Sequence, residues 1–163
     1  MHVNGNKTTA LMHLLVWTEL QRLRVNQAMP ITHISAEQSV ILAASKMHRL
    51  PREGKYDFVV ETPRKTIGFE VLTRPTKGKL LKKLPYKDEV DEYVFVIPHD
   101  SLLPYQKTPK NHGWKVREKK LPPIFAQKGL SVWLVDLDEQ CITEKHPFPQ
   151  IYNVEANHTI GGK

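Results

Sequence analysis

Two segments decide how this chain folds: Tyr56-Asp-Phe-Val-Val-Glu61 and Thr66-Ile-Gly-Phe-Glu-Val-Leu-Thr73, joined by Thr62-Pro-Arg-Lys65. Both are rich in β-branched and aromatic residues, and a turn-forming link lies between them, so the pair reads as a β-hairpin. Side chains alternate along a strand. On the first strand Asp57, Val59 and Glu61 share a face against Phe58 and Val60; on the second, Gly68, Glu70 and Leu72 oppose Ile67, Phe69 and Val71. Asp57 and Glu70 therefore sit inside apolar strands, where an unpaired carboxylate is costly and something must compensate it.

Downstream of the hairpin, Pro75 and Gly78 break the strand, and Lys79 to Leu84 suits a short helical turn. Glu92-Tyr-Val-Phe-Val-Ile97 is a nearly all-apolar strand closed by Pro98, as expected in the middle of a covered sheet. The stretch from Pro98 to Pro123 reads as irregular, and Gly129-Leu-Ser-Val-Trp-Leu-Val-Asp136 as a second buried strand. Residues 141–163 read as a polar, partly frayed tail. Upstream, Thr8 or Thr9 caps a helix whose apolar period (Leu11, Leu14, Leu15, Val16, Leu20, Leu23) runs to about Val25, and Pro30 follows it. Ile31 to Ile34 suits a short strand, and Ser35 with Gln38 suits a capping box that opens a helix over 36–46. A strand through 38–45 is the alternative, because Val40-Ile-Leu42 is an apolar run that periodicity alone does not assign. The order is that of an α/β fold: a mixed central β-sheet flanked by helices, in a single domain with its core at about 8–140.

Composition bounds the function. With 163 residues, 40% of them hydrophobic and 25% charged, the chain has the make-up of an ordinary globular domain. Lys and Arg outnumber Asp and Glu by 24 to 17, a net charge of +7 that favours a polyanionic partner. A lone Cys141 excludes an internal disulfide framework, which fits the cytoplasmic, intracellular location expected and would equally fit a bridge-free secreted protein. The eight His residues show no spacing that builds a zinc site. Ala10 to Trp17 is too short to span a bilayer, so no membrane association is expected.

Two carboxylates meeting on adjacent strands make a hard-oxygen site of the kind that holds Mg²⁺ or Mn²⁺, leaving positions for water and a phosphate. In the order of a first helix carrying Glu19, then Tyr56-Asp57-Phe-Val-Val, then Ile67-Gly-Phe-Glu70-Val-Leu72, a basic stretch and the strand ending at Pro98, the chain resembles the PD-(D/E)xK nuclease superfamily. That is the restriction-endonuclease-like fold that includes archaeal Holliday junction resolvases. The strand Gly129 to Asp136 resembles its closing strand, so the likeness covers roughly residues 10–140. The resemblance implies a restriction-endonuclease-like core in which Asp57 and Glu70 hold the metal and Glu19 orients it or its water. It implies a metal-dependent endo- or exodeoxyribonuclease hydrolysing DNA phosphodiester bonds, and symmetric cutting would suit a homodimer.

The family's lysine two residues after the glutamate is here Leu72. Its work, polarising the attacking water and neutralising charge on the phosphate, falls to a neighbour: Lys77, Lys79, Lys82 and Lys83 lie close in sequence, and Lys79 is the one expected. Plainer roles stand beside these. Asp57 could pair with Lys55 or an arginine, Glu19 with Arg22 at i+3, and Glu61 is a reserve ligand. Between Arg74 and Lys87 six basic residues, including Lys77, Lys82 and Lys83, occur without an acid, and a phosphate backbone could lie there. A second cluster interleaves Lys115 and Arg117 with Trp114, a pattern that suits an unpaired base among cations. The alternatives are a catalytically inactive DNA-binding protein of the same fold and, more remotely, a helix-turn-helix unit around 34–49.

Overall fold

In a computed structural model, which describes residues 2–46, 48–101, 105–108, 115–118 and 123–148, the hairpin forms as β2 (Arg52–Glu61) and β3 (Thr66–Val71). The preceding strand β1 (His33–Leu42) pairs antiparallel with β2, and β2 pairs antiparallel with β3. The chain then turns through α2 (Lys77–Lys83) and a 3₁₀ turn, Leu84–Glu89, so that β4 (Glu92–Pro98) returns parallel to β3. A parallel return needs such a crossover. Strands β5 (Tyr105–Thr108) and β6 (Lys115–Glu118) form a separate two-stranded sheet, β7 (Leu130–Asp136) adds parallel to β4, and β8 (Cys141–Pro147) closes antiparallel on β7. The result is a mixed six-stranded sheet in the order β1-β2-β3-β4-β7-β8.

Helix α1 (His2–Val25) covers one face. Met12, Val16, Leu20 and Leu23 recur at the helical period, are buried, and pack on Phe58, Val60, Phe69, Val94 and Trp133. On the other face Leu80 of α2 joins Tyr56, Tyr86, Tyr93, Phe95, Phe125 and Phe148. Gly68 lets this layer close: a Cβ there would stand 2.7 Å from the Tyr56 ring, which lies across the glycine and donates from its hydroxyl to the Tyr86 carbonyl at 2.6 Å.

Four expectations change. Helix α1 begins at His2, ahead of the expected cap at Thr8 or Thr9. The segment expected as a helix over 36–46 is β1, the strand alternative: it pairs residue by residue with β2, from His33 opposite Glu61 to Leu42 opposite Arg52. Pairing with a neighbouring strand outweighs the local capping signal of Ser35 and Gln38. The region expected as irregular contains the β5/β6 hairpin. The expected tail is ordered through Phe148: Asp136 accepts from the Asp138 and Glu139 amides at 2.9 and 3.0 Å, turning the chain so that β8 covers the open edge of β7. The remainder of that tail lies outside the described residues.

Candidate functional site

The β2/β3 ladder ends with Phe58 opposite Phe69, and one rung further stand Asp57 and Glu70. On the other side of β2 the pairing with β1 skips Asp57 and Glu37, whose φ is 52°, and resumes in the same register. The Asp57 Oδ2 accepts the Val71 amide proton at 2.7 Å. Glu70, 6% exposed, is the one charged residue that is fully buried among the described residues. Its Oε1 accepts from the Tyr93 hydroxyl at 3.3 Å, and the Lys83 ammonium stands 3.3 Å from its Oε2.

Each neighbour has a structural reason for its place. Thr76 caps α2 by accepting the Lys79 amide at 3.1 Å, which fixes the helix so that Leu80 is buried. Lys83, three residues on, follows on the same side. Its ammonium also lies 4.9 Å from the centroid of Tyr86. From the opposite face of the sheet, α1 delivers His13, with Nε2 3.5 Å from Asp57 Oδ1. That nitrogen is buried and has no hydrogen-bond partner.

The electrostatics follow from burial and crowding. Desolvation pushes the Glu70 carboxyl up to about 7; the nearby Asp57 charge pushes the same way, while Lys83 and Tyr93 oppose it. Desolvation also raises Asp57, partly offset by the Val71 amide and the charges of His13 and Lys83. Burial and the Glu70 charge hold the Tyr93 phenol protonated, so it stays a donor. The Asp57 charge thus disfavours ionisation of the buried Glu70, and His13 stands against Asp57 from the α1 side. Among the described residues no group of three or more His, Cys, Asp or Glu gathers as a formed metal cluster.

The other expected site residues fall elsewhere. Glu19 is held by a two-pronged contact with Arg22 at 2.7 and 2.8 Å and by Lys145 of β8, at the far edge of the sheet from β2. The Arg22 hydrogen bond, with Lys145, keeps its carboxyl below the usual range despite partial burial. It does not join Asp57 and Glu70. Lys79 turns its ammonium back to the Arg74 carbonyl at 3.0 Å, so the lysine that reaches Glu70 is Lys83. Leu72 packs on the α2 side of the core. Arg74, Lys77 and Lys82 are exposed on and before α2. Glu61 is exposed near the opposite end of β2. Lys115 and Arg117 belong to β6, whose side chains lie outside the described set, and Trp114 lies outside the described residues.

His13 and Tyr93 were not legible as site residues. Tyr93 is hidden in an apolar strand, and His13 reaches Asp57 only because α1 crosses β2 there. Lys83 carried a usable signal, its i+3 spacing from Leu80 behind a Thr76 cap. No protein-family model matches the chain, and no curated protein or solved structure matches it either. No described helix is long and apolar enough to cross a membrane.

Proposed function

We propose that this protein is a divalent-metal-dependent phosphodiesterase acting on DNA, with Asp57 and Glu70 holding Mg²⁺ or Mn²⁺. The observation that carries the reading is a buried glutamate placed beside a second carboxylate on the neighbouring strand, with a lysine ammonium against it. Burying charge this way is costly for a fold and is a common mark of a working site.

The donors fit a hard cation: two carboxylates, with the His13 nitrogen close by. Bound there, such an ion would neutralise phosphate charge and acidify a water. The protein's own groups supply the rest. Lys83 places a positive charge beside Glu70, where the absent motif lysine would act, and can pair with negative charge growing on a phosphate. Tyr93 holds one Glu70 oxygen, leaving the other toward Lys83. Asp57 is oriented by the Val71 amide. The exposed Arg74, Lys77 and Lys82 supply cations for neighbouring phosphates, in keeping with the +7 net charge.

A cleavage panel over linear, single-stranded, flapped and four-way DNA with Mg²⁺ or Mn²⁺, run beside Glu70→Ala, tests this. Cutting that needs the metal and vanishes in the variant is expected. A Glu70→Ala protein that cuts at the wild-type rate removes the proposal. Steeply salt-dependent DNA binding by a wild type that never cuts also removes it, and leaves a binding protein. Paired symmetric cuts on branched or duplex DNA would indicate a two-fold dimer.

A further inference from the structure

Trp17 follows His13 by four residues on α1, so the two side chains lie along one stripe of the helix. Its indole is stacked on Phe58, centroids 6.2 Å apart and planes at 30°, yet the residue stays 40% exposed. His13 meets the same Phe58 ring edge-on, at 5.7 Å and 87°, while its Nε2 faces Asp57. Phe58 is the residue after Asp57. Contacts thus run from an open indole, through Phe58 and His13, to Asp57, which stands on the strand beside that of Glu70.

An indole supported from beneath and open to solvent presents a flat aromatic face to a ligand. Beside a site read as holding phosphate, it has the form of a stacking platform: every base offers a π-face, so one indole serves any sequence. Bases inside a duplex have both faces covered by their neighbours, whereas an unpaired base has one to give. The cationic α2 packs on the opposite face of the sheet from α1, with Lys83 reaching Glu70 from that side. Leu14, 59% exposed and three residues before Trp17, extends the apolar surface along the same helix.

We propose that Trp17 is the platform on which an unpaired base of single-stranded DNA stacks, with the adjoining phosphate at Asp57 and Glu70. This rests on the phosphodiesterase reading for the place of the phosphate, and it makes single-stranded DNA or a single-stranded flap the substrate class.

The test measures fluorescence anisotropy of a dye-labelled oligothymidylate and of a blunt-ended DNA hairpin whose loop is a non-nucleotide linker, so that every base is paired, at fixed salt, in a Glu70→Gln background that prevents cutting. Trp17→Ala is expected to weaken oligothymidylate binding by between about 5-fold and about 150-fold. It should leave hairpin binding unchanged, and Trp17→Phe should recover most of the loss. Equal oligothymidylate affinity with and without Trp17 overturns the proposal. So does an equal loss on the hairpin, or a Phe variant as weak as Ala, since either indicates damage to the fold or a surface for another protein. The two readings fail separately: a Trp17 effect on binding without wild-type cleavage sinks only the catalytic reading, and cleavage indifferent to Trp17 sinks only the platform.

Discussion

Replacing Glu70 with Gln should make the protein more stable at alkaline pH and change it little in acid. In the folded state the Glu70 carboxyl titrates at about 7 instead of 4.5, chiefly because burial removes its hydration. The sign follows from linkage: a raised carboxyl binds its proton more tightly folded than unfolded. Its contribution to stability is therefore full below about pH 4.5 and is lost as pH rises through about 7. At about 1.4 kcal/mol for each pH unit, ionising Glu70 in place costs roughly 3 kcal/mol. Glutamine resembles the protonated acid in shape and cannot ionise, so that cost disappears. Urea unfolding of both proteins without divalent ions should give near-equal stabilities at about pH 4 and an advantage to Glu70→Gln of roughly 3 kcal/mol at about pH 8. Asp57→Asn should narrow the window, since Asp57 is the second cause of the shift. A difference that is flat with pH, or that favours the wild type at pH 8, would refute the reasoning about this site.

Other substitutions separate neighbours that look alike in the sequence. Lys83→Met should raise the Glu70 carboxyl further and cut DNA cleavage by roughly 100-fold or more, whereas Lys79→Met, whose ammonium donates to the Arg74 carbonyl, should stay within about 3-fold of wild type; steady-state cleavage rates of the two variants decide it. Glu19→Gln should lower the thermal midpoint by freeing Arg22 and Lys145 from their shared partner, while cleavage holds within about 2-fold of wild type. A large loss of activity without loss of stability would return Glu19 to the site.

Much of this arrangement was legible because strand geometry is rigid. Once Tyr56 to Glu61 and Thr66 to Thr73 read as a hairpin, Asp57 and Glu70 fell on neighbouring strands, but strict alternation fails at Asp57: Tyr56 packs with Val59 on the α2 face, while Phe58 and Val60 pack on the α1 face. The buried strands β4 and β7 were legible for a related reason, since an unbroken apolar run suits only a covered position. What failed were places where a non-local partner decides. Val40-Ile-Leu42 is equally at home in a helix or a strand, and pairing with Arg52 to Gly54 settles it. Cys141 to Pro147 looked like a tail because its polarity hides an edge strand. Glu19 pointed inward by helical period, but Lys145 lies far along the chain and captures it with Arg22. The lysine differs by one helical turn: Thr76 sets the phase of α2, and that phase gives Glu70 to Lys83 and leaves Lys79 at the cap.

The most direct measurement is Mn²⁺ binding by titration calorimetry, without DNA, for the wild type, Asp57→Asn and Glu70→Gln. One site is expected in the wild type, tightening as pH rises through about 7 because the ion competes with the Glu70 proton, and lost or much weakened in both variants. Unchanged Mn²⁺ affinity in both variants, or none in the wild type at any pH, would contradict a cation shared by these two carboxylates.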